Sequence, residues 1–301
     1  MPTARKTTQK NSLSRKAPAT KAPSKKEAAK KKPAAQAAKA KVTKTPAKPS
    51  NTKSINVGPG TTRTAPAKSG PPKSGFVGFG KPTMTFLRQL AENNERAWFA
   101  EHKAVYDANV LNPALDFIAA MGPHLESISD HFLALPQKQG GSLMRPYKDT
   151  RFAKDKTPYK TNVGIQFRHE LAKDVHAPGF YVHIEPGECF MGAGMWRPEP
   201  DALAKIRQRI LDAPDEWKKV CADKGFKSTW TLGGSSLARP PRGIAADHPF
   251  VQDLKRKDFI AGYDISDAEV ANPDFVARAA ARFKHAAPLM RFLCRALELQ
   301  Y

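Results

Sequence analysis

The first 75 positions of this 301-residue chain contain no aromatic residue, and their only acid is Glu27. Their large aliphatics are Leu13, Val42, Ile55 and Val57. A segment with so little to bury cannot offset the conformational entropy lost on ordering it. Residues 1–75 are therefore expected to be a disordered tail and linker. Cysteine is scarce as well. Cys189, Cys221 and Cys294 are far apart and form no Cys-x-x-Cys pair, which fits three reduced thiols in or near a core better than a disulfide frame or a metal site. No apolar run reaches the roughly eighteen residues of a membrane span. The N-terminus has no hydrophobic stretch of the secretory kind. Scarce acids would suit a transit peptide, but lysine outnumbers arginine and repeated prolines interrupt any amphipathic helix. A cytoplasmic protein is expected, nucleoid-associated if its tail binds DNA.

What the tail does contain is positive charge. Nineteen of the 50 Lys/Arg and one of the 28 acids lie in residues 1–74, leaving 31 bases and 27 acids for the rest. The high formal charge of +22 thus belongs mostly to the tail. Runs such as Lys30-Lys-Lys-Pro-Ala-Ala-Gln-Ala-Ala-Lys39 resemble in composition the tails of linker histones and histone-like bacterial proteins. A flexible polycation gains free energy by releasing counterions condensed on nucleic acid, without reading sequence. A solubilising linker has the same composition, so both readings stand. From Phe76 onward come all 16 Phe, four Trp and six Tyr, enough for one sizeable core over residues 76–301.

Within that core, Thr83 is expected to cap a helix carrying Phe86, Leu87 and Leu90, ended by Asn93-Asn94. A longer helix follows, with Trp98, Phe99, Val105, Tyr106 and Val110 at helical spacing and a kink or restart at Pro113. Val163, Ile165 and Phe167 alternate as in a half-buried strand, and so do Phe180, Val182 and Ile184. Pro186-Gly187 marks a turn to a returning strand from Cys189 to Met195, broken at Gly192-Ala-Gly-Met-Trp196. Leu203 to Ile210 and Trp217 to Cys221 read as helices. Gly233-Gly234 and Arg239-Pro-Pro-Arg-Gly243 read as loops, and Asp247 as the cap of a short helix. Phe259 to Tyr263 reads as a strand, and Asn272-Pro-Asp274 as a helix start. Short connections between strands call for antiparallel pairing. The expected fold is α+β: N-terminal helices, a central antiparallel sheet, then C-terminal helices.

The densest chemistry outside the tail lies in Arg145-Pro-Tyr-Lys-Asp-Thr-Arg-Phe-Ala-Lys-Asp-Lys-Thr-Pro-Tyr-Lys160. Arg145 and Arg151 offer planar donor forks, and Lys148, Lys154, Lys156 and Lys160 offer point charges for a phosphate or carboxylate. Arg239 and Arg242 are chemically suited to the same site. Asp149 and Asp155 would orient those cations or act as bases, and Tyr159 could donate through its hydroxyl. A salt-bridge network clasping an irregular segment explains the same residues. His169, Glu170, His176, His183 and Glu185 match no zinc spacing and read as structural or solvent-facing, so no metal ligands are assigned. Cys189 reads as buried. Gly75-Phe-Val-Gly-Phe-Gly80 is too apolar to cradle phosphate. No cofactor follows from any of these motifs.

Several of these stretches together resemble the bacterial family known as domain of unknown function 2461. They are Asn93-Asn-Glu-Arg-Ala-Trp-Phe99, Lys148 to Lys160, Pro178 to Glu185, Gly192 to Trp196, Arg239 to Gly243 and Lys255-Arg-Lys-Asp-Phe259. Lys148 stands where the family usually has arginine, which keeps the charge but loses the bidentate fork. The resemblance implies a boundary near Phe76 and no particular activity. Two functions fit. One is an anion-binding core whose basic tail, residues 1–75, binds nucleic acid non-specifically. The other is an enzyme acting on a phosphate- or carboxylate-bearing small molecule through residues 145–160.

Overall fold

The apolar face of an antiparallel sheet is the surface on which the helices of this protein assemble. The computed structural model describes residues 75–171 and 176–301. The expected disordered tail, Gly75 apart, lies outside the described residues. The helices in chain order are α1 (Lys81–Glu92), α2 (Arg96–Glu101), α3 (Lys103–Tyr106) and, after a π-helical turn at Asp107–Leu111, α4 (Asn112–Glu126). Strands β1 (Val163–Arg168), β2 (Gly179–Ile184) and β3 (Phe190–Met195) follow. Then come α5 (Pro200–Asp212), α6 (Pro214–Ala222), α7 (Lys224–Thr229), β4 (Thr231–Gly233) and α8 (Val251–Leu254). The chain finishes with β5 (Phe259–Asp264), α9 (Asp267–Val270), α10 (Phe275–His285) and α11 (Ala287–Ala296). The class is α+β, as the order of periodicities implied. Among the described residues no helix is long and apolar enough to cross a membrane.

The sheet runs β1-β2-β3-β5-β4 and every pairing is antiparallel. Register decides which face is buried. Ile165 opposes Val182, Val182 opposes Met191, and Ala193 opposes Ala261. All five are buried, in one cluster with Phe117, Phe275 and Phe283 from the helices. The free edge of β1 is covered by an irregular segment. Leu133 N–H donates to the Arg168 carbonyl at 3.0 Å, and Met144 N–H to the Gly164 carbonyl at 2.9 Å. This pairing blunts an edge that would otherwise offer itself to another chain.

Several local expectations need correcting. Thr83 is not a cap: α1 begins after Gly80, and the Thr83 hydroxyl is buried and donates to the Asn109 carbonyl at 2.6 Å. The long second helix breaks after Glu101; from Lys103 the helical backbone runs without interruption through the π-helical turn into α4, and Pro113 lies just beyond that turn, where the expected distortion falls. Asp247 does not cap α8, which begins after Phe250. Thr231–Gly233, which the sequence leaves as the entry to a loop, is the edge strand β4.

Gly192 to Met195 continues β3 rather than breaking it. Gly194 has φ +122°, and a Cβ there would lie 2.1 Å from the Phe259 carbonyl oxygen. The glycine therefore permits a close backbone approach within the sheet. Beyond it, buried Asp258 holds two turns at once. Its carboxylate accepts from Arg197 N–H at 2.8 Å, Ser235 N–H at 2.8 Å and the Ser235 hydroxyl at 2.7 Å. Burial alone would raise its pKa, but these hydrogen bonds win and lower it. Gly194→Ala should therefore cost about 2 kcal/mol or more, seen as a lower urea midpoint with an unchanged denaturant slope.

Candidate functional site

Residues 145–160 form a hairpin-like arm that leaves the sheet at the N-terminal end of β1. Tyr147 pairs with Tyr159. Lys148 N–H donates to the Pro158 carbonyl at 2.9 Å, and Lys160 N–H to the Pro146 carbonyl at 2.7 Å. Two prolines in an internal strand would leave ladder positions empty; here each supplies only a carbonyl.

A side-chain amide and a ring stack tie the arm down. The Asn94 amide donates to the Tyr159 carbonyl at 3.0 Å, and its oxygen accepts from Tyr159 N–H at 3.0 Å. The Tyr159 ring is buried and stacks on Phe99, with centroids 4.1 Å apart and planes 17° apart. Tyr147 lies against Tyr159 at 5.3 Å. Phe86, Phe99, Tyr159 and Tyr147 thus make an aromatic ladder from the core to the surface. Burial, then the neighbouring Tyr147, push the Tyr159 phenol up, while Arg96 pulls it down. Between the arm and α2 lies an open cleft of about 670 Å³, lined by Asn94, Arg96, Tyr147, Lys148, Lys156 and Tyr159 among others.

The two carboxylates are already engaged. Asp149 accepts from the Arg151 guanidinium at 3.0 and 2.8 Å and from Arg151 N–H at 3.2 Å. Asp155 accepts from Lys148 at 2.8 Å, from Thr157 N–H at 2.9 Å and from the Thr157 hydroxyl at 2.8 Å. The Arg151 hydrogen bonds hold Asp149 down to about 2. Lys148 first, then Thr157, hold Asp155 well below the ordinary carboxylate range. Lys156 donates to the Thr150 carbonyl at 2.9 Å. Arg145, Lys154, Lys156 and Lys160 have no carboxylate partner among the described residues. Lys160 is half-buried, and burial, then Arg145, lower its pKa.

Arg239 and Arg242 do not join this arrangement. Their loop follows the Ser236–Arg256 bridge, beyond the β5 end of the sheet that starts at Phe259. The arm leaves at Val163, on the opposite edge and at the opposite strand end. Across five strands the two edges alone are about 19 Å apart. No hydrogen bond, ion pair or ring contact links either arginine to the arm among the described residues.

A second polar cluster, given only structural roles by the sequence spacing, lies at the base of the arm. His183 Nε2 is 3.0 Å from Glu185, and its Nδ1 is 3.1 Å from the Tyr181 hydroxyl and 3.3 Å from the Asn162 amide. Glu185 also accepts from the Thr161 hydroxyl at 2.6 Å. With Glu185 ionised, Nε2 carries the proton and Nδ1 accepts from Tyr181. Burial, then Glu185, push the Tyr181 phenol up to about 12. Burial raises Glu185, but the Thr161 and His183 hydrogen bonds outweigh it and leave the carboxyl below its usual range. Buried His169 is set differently: its Nε2 lies 2.9 Å from the Gln300 carbonyl, and its Nδ1 accepts from Leu171 N–H. Burial raises all three thiols, Cys189 and Cys221 to about 11 and Cys294 to about 12, where thiolate chemistry is suppressed.

The depressed carboxylates set a pH dependence. Their folded pKa values lie below the unfolded value near 4, so the contribution to arm order is complete above that value and disappears as pH falls through the folded ones. Carboxyl NMR should place the Asp149 midpoint near 2, and Arg151→Ala should move it up toward 4.

No curated protein and no solved structure matches the chain. A family model does match, over residues 82–292, and it spans the helices, the sheet and the arm alike. The chain belongs to the family described as Conserved hypothetical protein (DUF2461).

Proposed function

We propose that the core is an anion-binding domain and that residues 1–75 add non-specific attachment to nucleic acid. The observation that carries the reading is the charge imbalance of the arm. Its two carboxylates pair with Lys148 and Arg151, leaving Arg145, Lys154, Lys156 and Lys160 without a counter-ion among the described residues. Across the cleft Arg96 adds another guanidinium with no ion-pair partner among the described residues, and the neighbouring Glu95 is the one carboxylate lining the cleft. Cations concentrated beside a concave, partly apolar wall hold a phosphate or carboxylate more strongly than the same cations dispersed in water. Lys148 and Lys156 act as point charges, and Arg96 supplies the planar fork. Ligand roles for Arg239 and Arg242 belong to a separate surface.

The enzymatic alternative draws its support from Glu185, His183 and Tyr181. A carboxylate held well below its ordinary range is poorly matched as a base at neutral pH, which counts against Asp149 and Asp155. The hydrogen-bonded His183 is the better proton acceptor, and Lys148 is close enough to influence Glu185 electrostatically. In this reading Tyr181 relays a proton to Nδ1.

Two measurements test the main proposal. The full chain should bind duplex DNA with steep salt dependence, and a chain beginning at Gly75 should lose most of that slope. Equal slopes would refute the tail's role. The shortened chain should still bind tripolyphosphate by calorimetry, and Arg96→Ala with Lys156→Ala should weaken binding about ten-fold or more without changing the melting temperature.

A further inference from the structure

The arm displays aromatic rings as well as charge. Phe152 is 94% exposed and Tyr147 is 52% exposed. The Arg151 guanidinium lies 5.9 Å from the Phe152 ring centroid. Large aromatics are usually buried by folding. Here two of them stand within six residues of one another, among Arg145, Arg151, Lys154 and Lys156.

We infer that the arm is a docking site for single-stranded nucleic acid, with Tyr147 and Phe152 as base-stacking platforms and the surplus cations along the phosphate backbone. The inference rests on the anion-binding reading of the same arm and goes further by naming the ligand class. Rings alternating with cations suit a polymer that alternates planar bases with phosphates. A duplex presents phosphates but keeps its bases stacked on one another, so the rings find no partner there. A single strand presents both.

Tyr147 is preorganised for this contact. One side of it rests against Tyr159, which stacks on Phe99, and the remainder is open to solvent. A ring already fixed loses little freedom when a base settles on it. Phe152 sits farther along the arm, where the fold makes no use of its apolar surface. Exposed residues alternate along Arg145, Tyr147 and Asp149 while Pro146, Lys148 and Thr150 are half-buried. Arg145 and Tyr147 therefore share the outward side, as a backbone-and-base contact requires.

The test uses the full chain, with fluorescence anisotropy on short labelled oligothymidylate, oligouridylate and a mixed-sequence duplex of equal charge. The tail responds to phosphates in all three, and more strongly to the duplex, so it is the change in the single-strand to duplex affinity ratio between wild type and ring variants that isolates the stacking contribution. Base stacking on one aromatic side chain is worth roughly five-fold to a hundred-fold in affinity. Wild-type protein should show a higher ratio than any variant lacking a ring. Phe152→Ala and Phe152→Leu should each lower the ratio about five-fold or more, and Phe152→Trp should preserve it. Replacing oligouridylate by oligodeoxyuridylate, which keeps the base, tells whether the 2′-hydroxyl contributes. Phe152 is too exposed for these changes to affect folding, and unchanged thermal melting checks this. A ratio unmoved by Phe152→Ala combined with Tyr147→Ala overturns the inference. So does full retention by Phe152→Leu, since an apolar contact without a ring would then suffice. The underlying anion reading is judged separately: if Lys154→Ala with Lys156→Ala leaves the salt slope on single strands unchanged, that reading fails, whatever the ratio shows.

Discussion

One side-chain amide fixes the arm on which the candidate chemistry sits. Asn94 is both donor and acceptor to the backbone of Tyr159, 65 residues away. Aspartate in its place could only accept, and would leave the Tyr159 carbonyl without its donor. The clamp puts the Tyr159 ring on Phe99 and so carries the rigidity of the helical layer outward to Tyr147. The reach of the core into the cleft depends on those two hydrogen bonds and one ring stack. The ion pairs at the tip contribute differently, because exposed pairs add little to stability.

This division separates what shapes the arm from what gives it charge. Clamp, ladder and backbone pairing determine its path. Asp149 and Asp155 organise the turn locally, each bonding a backbone N–H two residues onward. That is ordinary turn chemistry for aspartate, and it leaves neither carboxylate available to neutralise a distant cation. Six cations against two carboxylates already leave residues 145–160 net positive in the sequence, but the sequence does not say which cations the acids engage. In three dimensions the acids are consumed by their nearest neighbours, and the surplus is positive.

Much of the fold was legible because periodicity is local. Alternation at Val163, Ile165 and Phe167 and at Phe180, Val182 and Ile184 locates two strands, and Pro186-Gly187 locates the turn to a third. Failures occurred where a residue serves a distant partner. Asn93-Asn94 does end α1 as expected, but Asn94's second use, the clamp on Tyr159, has no local signal. Thr83 reads as a cap because nothing nearby reveals Asn109. Gly192 and Gly194 read as a break because glycine usually interrupts strands, whereas Gly194 admits the backbone of Phe259. The arm itself was recognisable by composition. Its expected arginine partners were not, since strand order decides whether Arg239 and Arg242 approach it, and the order β1-β2-β3-β5-β4 keeps their loop at the other edge.

The polar cluster at His183 shows why spacing alone misjudges chemistry. Residues two apart on a strand share a face, so Tyr181, His183 and Glu185 line up on one side of β2. Metal-ligand spacing is the wrong template for such a row. The relevant feature is that each member satisfies the next: carboxylate to imidazole, imidazole to phenol. Both ring nitrogens are thereby committed, which fixes the tautomer. The Tyr181 hydroxyl sits over Gly164, where a Cβ would lie 2.8 Å from it. A larger residue at position 164 would displace the phenol and break the row at its outer end without touching His183 or Glu185. The glycine in β1 is therefore as much a part of the cluster as the three side chains that form it.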